Sequence, residues 1–321
     1  MMRLILTEIR RASQRRLFRV ALLGAVAGVV AVAIFNLGTS DPNVESARAG
    51  ARQQIADCER FADEERSRIA EKGQDALGEA FFDCPAVSEI VEYYDKTFRY
   101  TDAVSAMVEG GAIFGAVVAF FLGASFVGAE WGSGNIATFL TWEPRRGRVL
   151  LAKLAAIVVV SAAAVAVLLL LVVLIHFPVA FWRGTTEGAN GAFWGSVAES
   201  AGRAAGLAGV FAAAGGSIAM ITRGTAGAFA IGGAYAGVID PLLAFWRDGL
   251  LRPWLLFRNV PQFLGYAVER PITNDFTVGS DGGASFEFVV LSAWRPTFVL
   301  LSYVAVLVAL GYAAFRVRDV T

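Results

Sequence analysis

The sequence predicts an all-α polytopic membrane protein with six transmembrane helices, on three observations. Six separate apolar stretches of roughly 20 residues run through the 321-residue chain. At 1.5 Å per residue each can cross a hydrocarbon layer about 30 Å thick. Apolar residues make up 56% of the sequence and charged residues 17%, too oily a balance for an ordinary soluble domain. Finally, basic residues crowd at the ends of alternate stretches, as they do in multi-pass proteins of fixed orientation. Lipid offers no partner to backbone N–H and C=O groups, so the apolar stretches must be helices that bond internally.

Taken in order, residues 1–17 predict an amphipathic leader helix and 18–37 the first span. A basic start before an apolar run also outlines a signal peptide. This run is too long for one and lacks a small-x-small cleavage site, so it reads as a retained helix. Residues 38–106 form a polar insert with 15 Asp/Glu against 8 Lys/Arg. Within it, Ala47, Ala51, Ile55, Cys58, Ala62 and Ile69 recur at near-helical spacing, and so do Val87, Ile90, Val91, Tyr94 and Phe98. Asp83-Cys84-Pro85 reads as a helix start, so the insert is expected to be a helical hairpin. The chain's only two cysteines, Cys58 and Cys84, both lie in it. Outside the cytoplasm such a pair is expected to join as a disulfide, and with no histidine nearby no metal site is expected.

Spans two to five are expected within 107–246, at about Met107–Ala129, Val149–Ile175, Ala204–Thr222 and Ala226–Trp246. Residues 247–295 are apolar but interrupted by Pro253 and Pro261, which suits an external or re-entrant segment better than a seventh crossing. After it, FTV-GSDGG-ASFEFVV reads as two short strands around a Gly-rich turn. Residues 296–315 are the sixth span and 316–321 a short tail. With the amino terminus in the cytoplasm, nearly half of the 28 Lys/Arg fall in the roughly 50 residues of the inner segments. Both termini are then cytoplasmic and the 38–106 hairpin external.

The stretch GASFVGAEWGSGNIATFLTWEPRRGRVLLAKLAAI, residues 123–157, leaves the membrane near Gly128 and re-enters near Val149. Ile136, Phe139 and Leu140 fall at i, i+3 and i+4, one apolar face of a short helix within 131–142. Pro144 ends it, and Arg145, Arg146, Arg148 and Lys153 crowd the re-entry point. The apolar face must be covered by lipid or by a partner.

This stretch resembles the segment between the second and third spans of bacterial ABC-2-type (type V exporter-like) permeases. There an acidic residue precedes a Gly-containing short helix, a Pro-x-x-Arg-like turn and a Lys at the start of the next span. Glu130, Gly134, Pro144, Arg146 or Arg148, and Lys153 match those places, while Asn135 departs from the Thr often found after the Gly. The leader LILTEIRRASQRRLFRV and the ending AAFRVRDV are similar to the family's opening helix and its close. The resemblance implies a permease subunit of an ATP-driven exporter in a bacterial cytoplasmic membrane, moving a hydrophobic or amphipathic substrate. Partners implied are a separate ABC ATPase, a second copy or homologous permease, and lipid. Glu130, Trp131, Ile136, Phe139, Leu140, Arg145 and Arg146 would then form the contact to the ATPase. Ile136, Phe139 and Leu140 would be the face buried in it.

The chain has no G-x-x-x-x-G-K-[ST] phosphate cradle, so ATP and Mg are expected on the partner and no cofactor or enzymatic activity on this chain. A net charge of zero implies no bulk attraction to nucleic acid. Glu109 and Asp240 are candidates to face a transport pathway, since carboxylates within spans are costly. Against this, Glu109 also fits an interfacial position, and Asp240-Pro241 fits a helix break. His176, the sole histidine, reads as a lone interfacial ring, and the Gly-rich runs of spans four and five as packing surface. An intramembrane serine protease fits poorly, because Ser133 and His176 fall near opposite faces. A membrane-bound sensor or assembly factor using the external hairpin to hold a partner is the alternative.

Overall fold

The computed structural model describes residues 2–72, 84–245, 251–265, 268–271, 286–289 and 294–317. In chain order, α1 (Met2–Gln14) and α2 (Arg16–Thr39) precede α3 (Val44–Lys72), α4 (Val87–Tyr94) and strand β1 (Phe98–Arg99). There follow α5 (Tyr100–Gly132), α6 (Asn135–Trp142), α7 (Arg146–Arg183), β2 (Gly184–Thr185) and α8 (Gly191–Thr222). The fifth apolar stretch is composite, with α9 (Thr225–Ala234), a π-turn (Tyr235–Ile239) and α10 (Asp240–Phe245). A 3₁₀ turn (Arg252–Trp254), α11 (Leu256–Leu264), β3 (Val268–Pro271), β4 (Phe286–Val289) and α12 (Trp294–Val317) complete it. Six helices are long and apolar enough to cross a membrane, and they coincide with the six expected stretches. This helical architecture with six candidate spans is consistent with an all-α polytopic protein.

Five of these helices outrun the apolar stretches that define them. The 38 residues of α7 reach about 57 Å, well beyond the hydrocarbon layer. Nothing in a helix ends it at the lipid surface, and α7 continues even through Pro178.

Contacts divide the chain into two units, Met1–Ala27 with Ser105–Val172 and Gly191–Thr321, and Gly28–Val104 with Val173–Asn190. In the first, α5 and α8 cross backbone to backbone. A Cβ at Gly123 would fall 2.0 Å from the Ala212 carbonyl oxygen, and one at Gly215 would fall 2.1 Å from that of Phe120. Only glycine permits this approach, so the Gly-rich run of span four is packing surface.

In span five the distortion precedes Asp240-Pro241. Pro241 cannot donate to the carbonyl four residues back, and its ring would collide with it. The π-turn widens the helix just there, and the Asp240 N–H reaches the Tyr235 carbonyl. The Asp240 side chain is buried and serves a second element. Its Oδ1 accepts the Leu256 N–H at 2.9 Å and its Oδ2 the Phe257 N–H at 2.6 Å, capping the start of α11. Strand β4 pairs antiparallel with β3, Val268 facing Val289 and Pro271 facing Phe286. Sequence places its partner at 276–278 instead; those residues and the Gly-rich turn lie outside the described ones. So do Asp83 and the tail residues 318–321.

The second unit holds the insert. Helices α3 and α4 form the expected hairpin, and Cys58–Cys84 joins it with Cα atoms 6.1 Å apart. Ala47, Ala51 and Ala62 are buried, as their spacing predicts. The hairpin ends in an element the sequence does not announce, a two-residue parallel ladder pairing Phe98 with Gly184 and Arg99 with Thr185. Two residues per strand leave too short a pattern to read. Beside it the Tyr100 hydroxyl donates to the Val173 carbonyl at 2.9 Å. The buried His176 ring stacks on Phe98 at 6.2 Å. Hydrogen bonds from the Thr97 hydroxyl and backbone N–H, with a weaker pull from Arg99, hold the Asp95 carboxyl below the usual carboxylate range.

Candidate functional site, a buried ion cluster under helix α6

Local sequence brings four segments of the first unit together. Gly134, between α5 and α6, has φ of 69°, a left-handed conformation that turns the chain sharply. A Cβ there would meet nothing within 4 Å, so the glycine serves the dihedral angle and not space. The turn lays α6 back against the chain, and the extended N–H of Glu143 closes its last turn on the Phe139 carbonyl. Pro144 cannot continue the helix, and α7 begins two residues later.

At the centre stands Lys153, two turns into α7 and 1% exposed. Its Nζ lies 2.5 Å from Glu130 Oε2 and 3.1 Å from Glu8 Oε2. The other Glu130 oxygen accepts from Arg15 Nη2 at 3.1 Å, and Arg15 Nη1 donates to the Ser125 carbonyl. The other Glu8 oxygen accepts from Arg11 Nη1 at 3.3 Å. Two rings complete the walls. Phe126 faces Arg15 at 4.8 Å and Lys153 at 5.5 Å, while Phe139 faces Lys153 at 4.9 Å and Arg11 at 5.4 Å. Such cation–π contacts strengthen where water is excluded.

Two of the residues that carry the family resemblance, Glu130 and Lys153, therefore meet directly. Three cations face two carboxylates, and every carboxylate oxygen has a donor. With no oxygen left free, the cluster joins segments. Removing one member of such a buried set typically costs about 3–5 kcal/mol, because a charge is left unpaired.

The apolar face of α6 does not look outward. Ile136 is fully buried within the chain itself, against the expectation that it projects into a partner, while Phe139 and Leu140 are half-buried. An amphipathic helix covers its stripe with the nearest surface, and here Arg11 of α1 and Lys153 of α7 lie over the Phe139 ring. Glu130, expected as a contact, is likewise locked inside. Trp131 packs edge-on against Phe315 and directs its indole N–H at Met220 Sδ, with the Arg223 guanidinium over its ring. Arg146 donates to the Phe315 carbonyl at 2.8 Å and so holds the end of α12. Of the expected contact residues only Arg145 is exposed; Ser133, before α6, and Thr141, in its last turn, are exposed as well.

Glu109 is exposed on α5, and Asp240 acts as the cap described above. Sequence reasoning passed over Glu8, Arg11, Arg15 and Phe126. Glu8 did carry a signal, as the single acid among the six arginines of residues 1–19. Among the described residues no group of three His, Cys, Asp or Glu side chains is placed to hold a metal ion. In comparisons with known proteins, no family model matches the chain, and no curated protein or solved structure is significantly similar to it.

Proposed function

We propose that this chain is the membrane-spanning permease subunit of an ABC-2-type exporter in a bacterial cytoplasmic membrane, with both termini inside. A separate ATPase binds ATP and Mg. A second copy or a homologous permease completes the pathway for a hydrophobic or amphipathic substrate. The observation that carries this reading is the Glu130–Lys153 pair at 2.5 Å. The resemblance rests on those residues flanking a short helix, and their pairing gives that motif a physical purpose. It ties α5 to α7 on either side of α6, whose Phe139 ring rests on Lys153, so a push on α6 moves two spans instead of bending a loop. Coupling of this kind needs the ATPase to contact the two states of the bundle differently.

The burial of Ile136 moves the proposed contact to the outward face, with Ser133, Thr141 and Arg145 touching the ATPase. Phe139, Glu130 and Lys153 act as positioning residues behind it. Glu109, an exposed carboxylate on a spanning helix, is proposed to face the pathway or the second copy, since lipid would penalise it. The test is copurification of the tagged chain from its host, followed by ATPase assay with candidate amphipathic substrates. We expect a P-loop ATPase to copurify, and Thr141→Asp with Arg145→Glu to weaken its association at least tenfold, about 1.4 kcal/mol. If no such ATPase is recovered, or the double variant retains it fully, the reading fails.

A further inference from the structure

Beside the ion cluster an open groove of about 390 Å³ lies between the end of α1 and one face of α6. Asn135, Thr138, Phe139 and Trp142 form one wall, Arg11 and Arg15 the other, and Glu130 the floor. The Glu130 oxygens are engaged by Lys153 and Arg15, so the floor is already neutralised. The set holds one cation more than carboxylates, and Arg11, paired with Glu8 through Nη1, has a half-exposed side chain on this groove. Opposite it α6 begins without a side-chain cap on its first-turn amides, so this end of the groove favours an anion. The Asn135 amide, the Thr138 hydroxyl and the Trp142 indole N–H add neutral donors.

We infer that this groove binds the phosphodiester headgroup of an anionic phospholipid. Three observations select a lipid over a soluble anion or a protein carboxylate. Arg15 and Arg16 directly precede the apolar part of α2, which sets the groove at headgroup depth. On α1, Met2 and Leu6 lie one turn apart and are 76% and 59% exposed, a pair that acyl chains would cover. Trp142, 87% exposed, offers the amphipathic ring that favours a membrane interface. Basic pockets between helices at this depth suit anionic headgroups, and the lipid would hold α1 and α6 at a fixed spacing over the cluster. The inference requires only that the apolar spans lie in a bilayer, and no part of it depends on an ATPase.

The full-length protein is reconstituted in phosphatidylcholine nanodiscs containing equal fractions of brominated phosphatidylglycerol or brominated phosphatidylcholine. Tryptophan quenching in the wild type minus that in Trp142→Phe isolates Trp142 from the other tryptophans. We expect phosphatidylglycerol to be preferred at Trp142 by about fivefold, the effect of one basic residue at a membrane surface. Arg11→Gln should abolish the preference and Arg11→Lys should keep part of it, with unchanged elution of both proteins on size exclusion. Equal quenching by the two lipids, or a preference that survives Arg11→Gln, would overturn the inference. Displacement of the lipid by millimolar inorganic phosphate would assign the groove to a soluble anion instead. Absence of quenching at Trp142 by either lipid would place the groove against water or protein.

Discussion

The α3–α4 hairpin and the Lys153 cluster use the same chemistry, carboxylate against cation, under opposite conditions. Along α3, Arg48–Glu45, Arg60–Asp57, Arg66–Asp63 and Arg68–Glu65 pair three residues apart on a water-facing surface. In the cluster, Lys153 and Glu8 pair across 145 residues of sequence with side chains 1% exposed. A charge pair in water is screened by the solvent and must also immobilise two long side chains, so it contributes little. The buried set has lost its solvent and depends on every partner being present. Four pairs on α3 therefore reinforce one helix locally. The cluster determines whether α1, α5 and α7 stay together.

The largest expected effect is at Lys153. Lys153→Met leaves Glu8 and Glu130 buried without their shared cation, and we expect a loss of about 3–5 kcal/mol. The sharper result is the double variant. Glu8→Gln with Lys153→Met removes one buried charge of each sign and leaves Glu130 to Arg15, so it should be more stable than Lys153→Met alone. Thermal unfolding in detergent, together with tryptic cleavage at Arg10 and Arg11 of α1, reads both. Simple additivity of the two substitutions would show that the cluster does not act as a unit.

The hairpin owes its cohesion to a different bond. Cys58 and Cys84 are separated by 26 residues, and closing a loop of that size stabilises by roughly 3–4 kcal/mol in the chain-entropy model. Cys58→Ser should therefore raise hydrogen exchange across α3, whatever the number of surface ion pairs retained. If exchange in α3 is unchanged, the burial of Ala47, Ala51 and Ala62 is sufficient and the crosslink is incidental.

The contrast also explains what the sequence could tell. The six spans were legible because lipid imposes a single requirement, length in apolar residues, that needs no partner to be seen. The hairpin was legible for a similar reason, through helical spacing at Ala47, Ala51 and Ala62 and a lone pair of cysteines. The motif residues Glu130 and Lys153 stood out by order along the chain, yet their meeting with Glu8 and Arg15 was not written there, because no local pattern encodes contact across more than 100 residues. The spacing of Ile136, Phe139 and Leu140 marks an apolar face, of which Ile136 is buried and the other two half-buried. That Ile136 is covered by this chain itself is not legible there, since periodicity reports that a face is apolar and never whose surface meets it. The β1–β2 ladder, at two residues per strand, left no period to detect.

The smallest expected effect tests the weak end of the comparison. Arg66 Nη1 lies 3.2 Å from Asp63 Oδ1, with 56% and 76% of the two side chains exposed. Geometry is good, so a large stabilisation would be assumed if distance alone decided. Water surrounds both groups, however, and an i, i+3 pair on a helix surface is worth roughly 0.2–0.5 kcal/mol. Arg66→Ala removes the pair while substituting the best helix former, which offsets a few tenths of a kcal/mol of that loss. The net change in hairpin stability should then stay within about 0.5 kcal/mol and shrink further as salt is added. Hydrogen exchange of α3 at low and high salt measures it. A loss above 1 kcal/mol, insensitive to salt, would mean that α3 is covered by something that excludes water, and the division between its surface pairs and the Lys153 cluster would no longer hold.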